Sequence, residues 1–114
     1  MSRNYRLYLE EILEAIQKIE TYLAGTAFEA LAGNTMQIEA VLYNLLVIGE
    51  ASKHIPYELK EKYPLIEWRK IVGLRDIVVH EYFVVKSEII WDTARNKLPG
   101  LRDAVGIILG EEAQ

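Results

Sequence analysis

The first 25 residues carry the pattern that most constrains the fold, an apolar side chain at every third or fourth position. The intervening positions are rich in glutamate, glutamine and lysine. This is the 3.6-residue period of an amphipathic helix, sustained for about five turns and ended by Gly25. The chain must therefore bury one face of a long helix against other elements. The apolar positions are Tyr5, Leu9, Ile12, Ile16, Ile19 and Leu23.

A second long helix is predicted to begin at a cap formed by Asn34 or Thr35 and to end near residue 53 or 54. Gly49 lies inside it, where glycine costs about 1 kcal/mol relative to alanine. We therefore expect another backbone to pass close to Gly49. Asn44 and Glu50 are polar positions on an otherwise apolar element. Each is either a solvent-facing residue or part of a site, and the pattern leaves both readings open.

Short helical turns are predicted at two places. Thr26-Ala27-Phe28-Glu29 has the form of a capping box. Pro56 and Pro64 bracket a polar connector, and proline is tolerated at a helix start but not inside one. The later predicted elements are a helix from about Ile66 into residues 74–83, a helix from Ser87 that Pro99 stops, a helix over residues 101–109 and a frayed tail over residues 110–114.

Strand-type alternation is absent from the sequence over more than a few residues. The β-prone runs around Val78 and Val84 are too short to build a sheet. The sequence therefore predicts an all-α bundle of four to five helices with short connections, forming a single domain over residues 1–114.

Composition narrows the class of protein. The hydrophobic content of 51% and charged content of 26% are those of a folded domain. No apolar run is long enough for a membrane span or a signal peptide, so we expect a cytoplasmic protein without membrane contact. The net charge of −4 argues against a protein that coats nucleic acid through its overall charge, and we expect no DNA partner. Residues 51–102 nevertheless hold ten basic and seven acidic side chains. A local phosphate site is therefore compatible with the charge.

The stretch from residue 74 to residue 83 gathers the candidate chemistry. Arg75, Asp76, His80 and Tyr82 lie within a segment that is otherwise mostly apolar. Polar side chains are costly in such a run unless they meet partners or perform a function. These four residues are the candidate site.

Helical geometry separates two of these candidates. Asp76 and His80 are four residues apart and are able to touch. Arg75 and His80 are five apart, about 140° around a helix axis, so one straight helix does not easily aim both at one phosphate. Either the helix ends or distorts near Val79, or the site is shared by two subunits related by a two-fold axis.

Histidine and arginine are the minimum set for cleaving RNA without a metal. Histidine titrates near neutral pH and transfers protons, while arginine presents a permanent planar charge to phosphate. The alternative is structural, with His80 paired to Asp76 and Arg75 paired to Glu67 or Asp76. A metal site is less favoured because His54, the second histidine, has no neighbour at ligand spacing. We expect no cofactor.

At these residues the chain resembles a known family. Arg75, four residues, His80, one residue and Tyr82 match the Arg-x4-His-x-Tyr motif of HEPN-domain toxins, the RNase partners in MNT/HEPN toxin-antitoxin systems. Asp76 fits the polar residue that commonly follows the arginine. The resemblance covers nearly the whole chain, through residues 44–51, Tyr63-Pro64, Trp68-Arg69, Gly73 and Trp91.

The resemblance implies an all-helical HEPN bundle and a homodimer, with Arg75 and His80 of both subunits in one cleft. It also implies a metal-independent endoribonuclease acting on tRNA or mRNA. A minimal nucleotidyltransferase antitoxin would neutralise it and transfer AMP to Tyr82. Tyr82 also has a packing interpretation, because it falls on the apolar face of the idealised helix.

Two other classes remain open from the sequence. The chain could be a catalytically silent HEPN binding partner or substrate of a nucleotidyltransferase, an interpretation that the acidic net charge favours. It could also be a nucleotide-binding helical dimer that does not cleave RNA.

Overall fold

The structure, a computed structural model, describes residues 4–81 and 87–112. Most of these residues are helical. No strand occurs within these residues, so the predicted all-α class is confirmed. The helices are α1 (Asn4–Leu23), α2 (Phe28–Ala32), α3 (Thr35–Lys53), α4 (Tyr57–Lys62), α5 (Trp68–Glu81), α6 (Ser87–Asp92) and α7 (Leu98–Glu111), with a π-helical turn (Thr93–Lys97) between α6 and α7.

Four long units make the bundle: α1, α3, α5 and the continuous α6–α7 segment. α3 is the central helix, since it packs against both α1 and α5. α1 lies between α3 and α7 and buries its apolar stripe as its periodicity predicts. The fully buried side chains of α1 are Leu9, Ile12, Ile16 and Ile19.

The ends of α1 and α3 follow local sequence rules. Gly25 adopts φ of +72°, the left-handed conformation that glycine enters at low cost, and the chain turns there after α1. The Asn34 side chain accepts a hydrogen bond of 3.0 Å from the Gln37 N–H and caps α3, as predicted. The predicted capping box at residues 26–29 is wrong. Ala27 is the N-cap of α2, and the Thr26 hydroxyl instead accepts a hydrogen bond from the Gln37 side chain.

Two buried polar side chains of α3 form their hydrogen bonds within the same helix. Asn44 is buried rather than solvent-facing, and its amide donates to the Ala40 carbonyl at 2.9 Å. Ser52 is buried as well, and its hydroxyl donates to the Ile48 carbonyl at 2.7 Å. Back-bonding of this kind removes the cost of an unpaired polar group in the core.

Pro99 does not stop a helix, contrary to the prediction. It lies at the start of α7, directly after the π turn, in which the Leu98 N–H donates to the Thr93 carbonyl five residues earlier. A proline inside an α-helix lacks the N–H that would bond four residues back, and its ring clashes with that carbonyl. The wider π turn accommodates both conflicts, and the helix therefore continues.

Polar contacts join the residues at the carboxyl end of α7 to those at the end of α4. The Tyr63 hydroxyl lies 2.7 Å from a carboxylate oxygen of Glu111 and 2.9 Å from one of Glu112, and its single proton is shared between them. Lys62 pairs with Glu112 at 2.6 Å. We call this set of four residues the α4–α7 clamp. Gly110 and Glu111 belong to the last turn of α7. Of the predicted frayed tail over residues 110–114, residues 113–114 lie outside what the structure describes.

The described residues contain no helix long and apolar enough to cross a membrane.

Candidate active site

Arg75 lies on α5 at the point where this helix crosses α3. Its side chain is 39% exposed, and two carboxylates contact its guanidinium. Glu50 Oε2 of α3 is 3.3 Å from Nε, and Asp76 Oδ1 accepts a hydrogen bond of 3.2 Å from Nη1. A guanidinium has five N–H donors, so two such contacts leave donors for a further anion. Arg75 is thus restrained and still accessible to a phosphate.

Gly49 makes this crossing possible. A Cβ built on Gly49 would lie 2.5 Å from the backbone nitrogen of Arg75 and 2.8 Å from its Cβ. Carbon atoms essentially never approach a backbone nitrogen this closely, so an alanine would require α3 and α5 to move apart. The predicted close passage of another backbone is confirmed, and that backbone belongs to Arg75.

Glu50 also contacts the second histidine. Its Oε1 atom is 3.8 Å from His54 Nε2, one helical turn further along α3. The His54 ring stacks on Tyr8 of α1, with ring centroids 4.7 Å apart and an angle of 16° between the planes. A continuous set of contacts therefore runs from Tyr8 through His54 and Glu50 to Arg75.

The backbone of His80 lies in α5, five residues after Arg75. Because α5 continues through His80 to Glu81, the Arg75 and His80 positions are about 140° apart around the helix axis. The His80 side chain, its predicted contact with Asp76, and Tyr82 lie outside what the structure describes.

The structural alternative paired Arg75 with Glu67 or Asp76, and one of these two partners is correct. Asp76 does pair with Arg75, whereas Glu67 pairs with Lys70 at 2.8 Å. The Glu67 pair lowers the pKa of that carboxyl, chiefly through the hydrogen bond from Lys70. The partner that the prediction lacked is Glu50. Its four-residue spacing to His54 and its place next to Gly49 were the available signals, but no spacing rule links α3 to α5.

A large groove lies beside this site without including it. Its volume is about 800 Å³, and its wall is formed by α3, α5 and the α6–α7 segment. The lining is mostly apolar, as with Leu45, Leu74 and Ile90, and Arg75 does not line it. A phosphate needs charge and hydrogen-bond donors, so the candidate active site is the Arg75 cluster and not the groove. Within the described residues, no three histidine, cysteine or acidic side chains are grouped as metal ligands would be.

The all-α bundle, with Arg75 and His80 of the Arg-x4-His-x-Tyr motif on α5, defines the class of protein as a HEPN-type helical domain. Comparison with known proteins then gives the family. Residues 12–108 match the family model described as "Ribonuclease HepT-like". The chain belongs to the HepT-like ribonuclease family, which confirms the resemblance seen in the sequence.

Two relatives illustrate the extent of the match. "Probable ribonuclease HepT" of Thermococcus cleftensis is 38% identical over 102 residues, which cover 90% of this chain and 93% of the relative. "Putative RNase TTE0752" of Caldanaerobacter subterraneus subsp. tengcongensis is 37% identical over 107 residues, covering 94% of this chain and 96% of the relative. No solved structure gives a significant match.

Proposed function

We propose that this protein is a metal-independent endoribonuclease in which Arg75 and His80 act on one phosphodiester of an RNA strand. The observation that carries the proposal is the position of Arg75, which is restrained by two carboxylates and still exposed at the α3–α5 crossing. The names of the two relatives above describe ribonucleases and support the same activity.

The chemistry follows from the two side chains. A neutral His80 takes the proton of the ribose 2′-hydroxyl, and the oxygen attacks the adjacent phosphorus. The bond from phosphorus to the 5′-oxygen breaks, and a protonated second histidine gives its proton to that oxygen. Arg75 stabilises the negative charge that gathers on the phosphoryl oxygens. The products are a 2′,3′-cyclic phosphate and a 5′-hydroxyl, and no metal or redox partner is needed for this balance.

A homodimer would supply both the geometry and the second histidine. α5 is one helix from Trp68 to Glu81, which places Arg75 and His80 far apart around the same axis. A two-fold axis beside α5 would bring Arg75 of one subunit towards the histidine of the other. The one cleft of the dimer would then hold two arginines and two histidines. Asp76 would keep the arginine oriented through the hydrogen bond at Nη1.

The cellular role that fits this activity is the toxin of a toxin-antitoxin pair in the cytoplasm. The substrate would be tRNA or mRNA, and the partner a minimal nucleotidyltransferase that acts as antitoxin. AMP transferred to Tyr82, two residues after His80, would add negative charge and bulk next to the cleft and exclude RNA. These proposals rest on the family motif at Arg75, His80 and Tyr82.

The direct test is cleavage of end-labelled tRNA and mRNA by purified protein in the presence of a metal chelator. We expect Arg75→Ala and His80→Ala each to lower the cleavage rate by about 100-fold or more. Arg69→Ala removes an exposed arginine from the same helix and serves as the matched control, with the wild-type rate expected. Cleavage by His80→Ala at the wild-type rate would show that the assigned mechanism is wrong.

A second experiment tests the toxin role. Induction of the wild type in bacteria should arrest growth, and Arg75→Ala should not. Tyr82→Phe should also arrest growth, and a co-expressed nucleotidyltransferase should rescue the wild type but not this variant. If folded wild-type protein neither cleaves RNA nor arrests growth, the silent binding partner becomes the better assignment.

A further inference from the structure

We propose that Glu50 is a positioning residue for the ribonuclease reaction, which orients the Arg75 guanidinium from the neighbouring helix. This inference rests on the proposed function, and it concerns a residue of α3 outside the Arg-x4-His-x-Tyr motif. It predicts that the Glu50 carboxylate increases the rate of catalysis even though its negative charge repels the RNA.

The first support is the rigidity of the crossing. Gly49 brings the α3 backbone against the Arg75 backbone, and a single added carbon atom would clash at 2.5 Å. The residue that follows Gly49 therefore starts from a defined position relative to Arg75. The contact between Glu50 and Arg75 therefore follows from the packing of α3 against α5, and not from a chance approach of two long surface side chains.

The second support is the set of atoms that the contact uses. Glu50 is paired with Nε of the guanidinium, and Asp76 accepts from Nη1. Two anchors at different nitrogens restrain the plane of the group and leave the two N–H donors of Nη2 for a phosphate. An arginine held in this way has less freedom to lose when the transition state forms.

The third support is that Glu50 lies within a set of side chains from three helices. Its other oxygen lies 3.8 Å from His54 Nε2, and the His54 ring is stacked on Tyr8 of α1. The carboxylate is 48% exposed, so an isolated surface glutamate would contribute little through charge alone. Here α1 contributes Tyr8, α3 contributes Glu50 and His54, and α5 contributes Arg75 to the same set of contacts.

The test compares Glu50→Ala and Glu50→Gln in steady-state cleavage of a defined RNA. We expect kcat of Glu50→Ala to fall by about tenfold or more with KM within about twofold of the wild type, because orientation acts in the transition state. Glu50→Gln keeps the size and the polar end of the side chain next to Nε but removes its charge, and should recover part of the loss. Glu10→Ala is the matched control, since Glu10 is 51% exposed and also pairs with an arginine, Arg6. Its kcat should equal that of the wild type.

Other outcomes would overturn the proposal. If Glu50→Ala cleaves as fast as the wild type or faster, the carboxylate does not assist Arg75 and only reduces the local positive charge. A higher KM with an unchanged kcat would assign Glu50 to binding alone. A loss that Glu50→Gln does not relieve at all would also contradict an orienting contact at Nε.

A readout independent of cleavage separates this inference from the proposed function. In ¹⁵N-labelled protein the Nε–H signal of Arg75 is assigned by its absence from Arg75→Lys. Glu50→Ala should accelerate exchange of that proton with water several-fold, and Glu10→Ala should not. If the wild type cleaves no RNA, the ribonuclease assignment fails while this exchange still reports whether Glu50 holds Arg75. Unchanged exchange in Glu50→Ala would show that it does not.

Discussion

At the scale of single residues, Gly49 has the clearest structural requirement. Its lack of a side chain permits the α3–α5 crossing that carries Arg75 and Glu50. The obstacle to any side chain at this position is backbone, which cannot rotate away as a flexible side chain could. A glycine that disfavours the helix is therefore retained within α3 for a packing reason.

Gly49→Ala should destabilise the protein by about 1–3 kcal/mol, because overpacking exceeds the gain in helix propensity. Gly106→Ala is the matched control, since Gly106 is an exposed glycine inside α7 with nothing within 4 Å of an added Cβ. It should stabilise by about 0.5–1 kcal/mol. Urea denaturation of both variants measures the difference, and equal stability of Gly49→Ala and the wild type would contradict the close crossing.

At the scale of elements, the α4–α7 clamp joins two chain segments that are far apart in sequence. The hydrogen bonds from Lys62 and Tyr63 lower the pKa of Glu112 below its ordinary value of 4.5. The hydrogen bond to Glu112 raises the pKa of Lys62. Burial and the hydrogen bonds to Glu111 and Glu112 raise the pKa of Tyr63.

The clamp predicts a dependence of stability on pH. A lowered pKa means that Glu112 stabilises the fold above pH 4.5 and that this contribution is lost as the pH falls through the folded-state pKa. The raised pKa values of Tyr63 and Lys62 mean that their contributions are present below pH 10 and are lost as the pH rises further.

The melting temperature of Glu112→Gln should therefore be a few degrees below that of the wild type at neutral pH, and the two should converge in acid. Glu39→Gln, which removes an exposed glutamate of α3, is the control for net charge and should show no such convergence. A constant difference between Glu112→Gln and the wild type down to pH 2 would contradict the role of this ionised carboxyl.

At the scale of the whole molecule, the proposed site requires two copies of the chain. Arg75→Ala and His80→Ala subunits each retain the residue that the other lacks. In a two-fold dimer, the remaining arginine of one subunit faces the remaining histidine of the other. Every mixed dimer thereby regains one arginine–histidine pair, but it lacks the second histidine that protonates the 5′-oxygen in the wild type, so its rate should stay below that of the wild type.

We therefore expect a mixture of Arg75→Ala and His80→Ala, co-expressed with different tags and purified as the mixed species, to cleave RNA well above either variant alone. A mixture of Arg75→Ala with the double variant lacking both residues is the control and should stay inactive. Mixed dimers that form but recover no cleavage would place each active site within one subunit.

The sequence by itself determined the helical class and the ends of α1 and α3, and it supplied the motif on which the proposed site rests. These features depend on local rules, namely the 3.6-residue period, the Asn34 cap and the left-handed Gly25, which act within a few residues. The passage of a second backbone at Gly49 was also predictable, because an unfavourable glycine in a helix needs a reason.

Only the tertiary structure decided which residues meet. Glu50 is 25 positions from Arg75 in sequence, and their pairing depends on how α3 crosses α5, which no local spacing encodes. The burial of Asn44 and the extension of α7 to Glu111 were likewise settled by packing. In both cases, contacts between distant segments outweighed a local preference of about 1–3 kcal/mol, because many such contacts form together when the bundle closes.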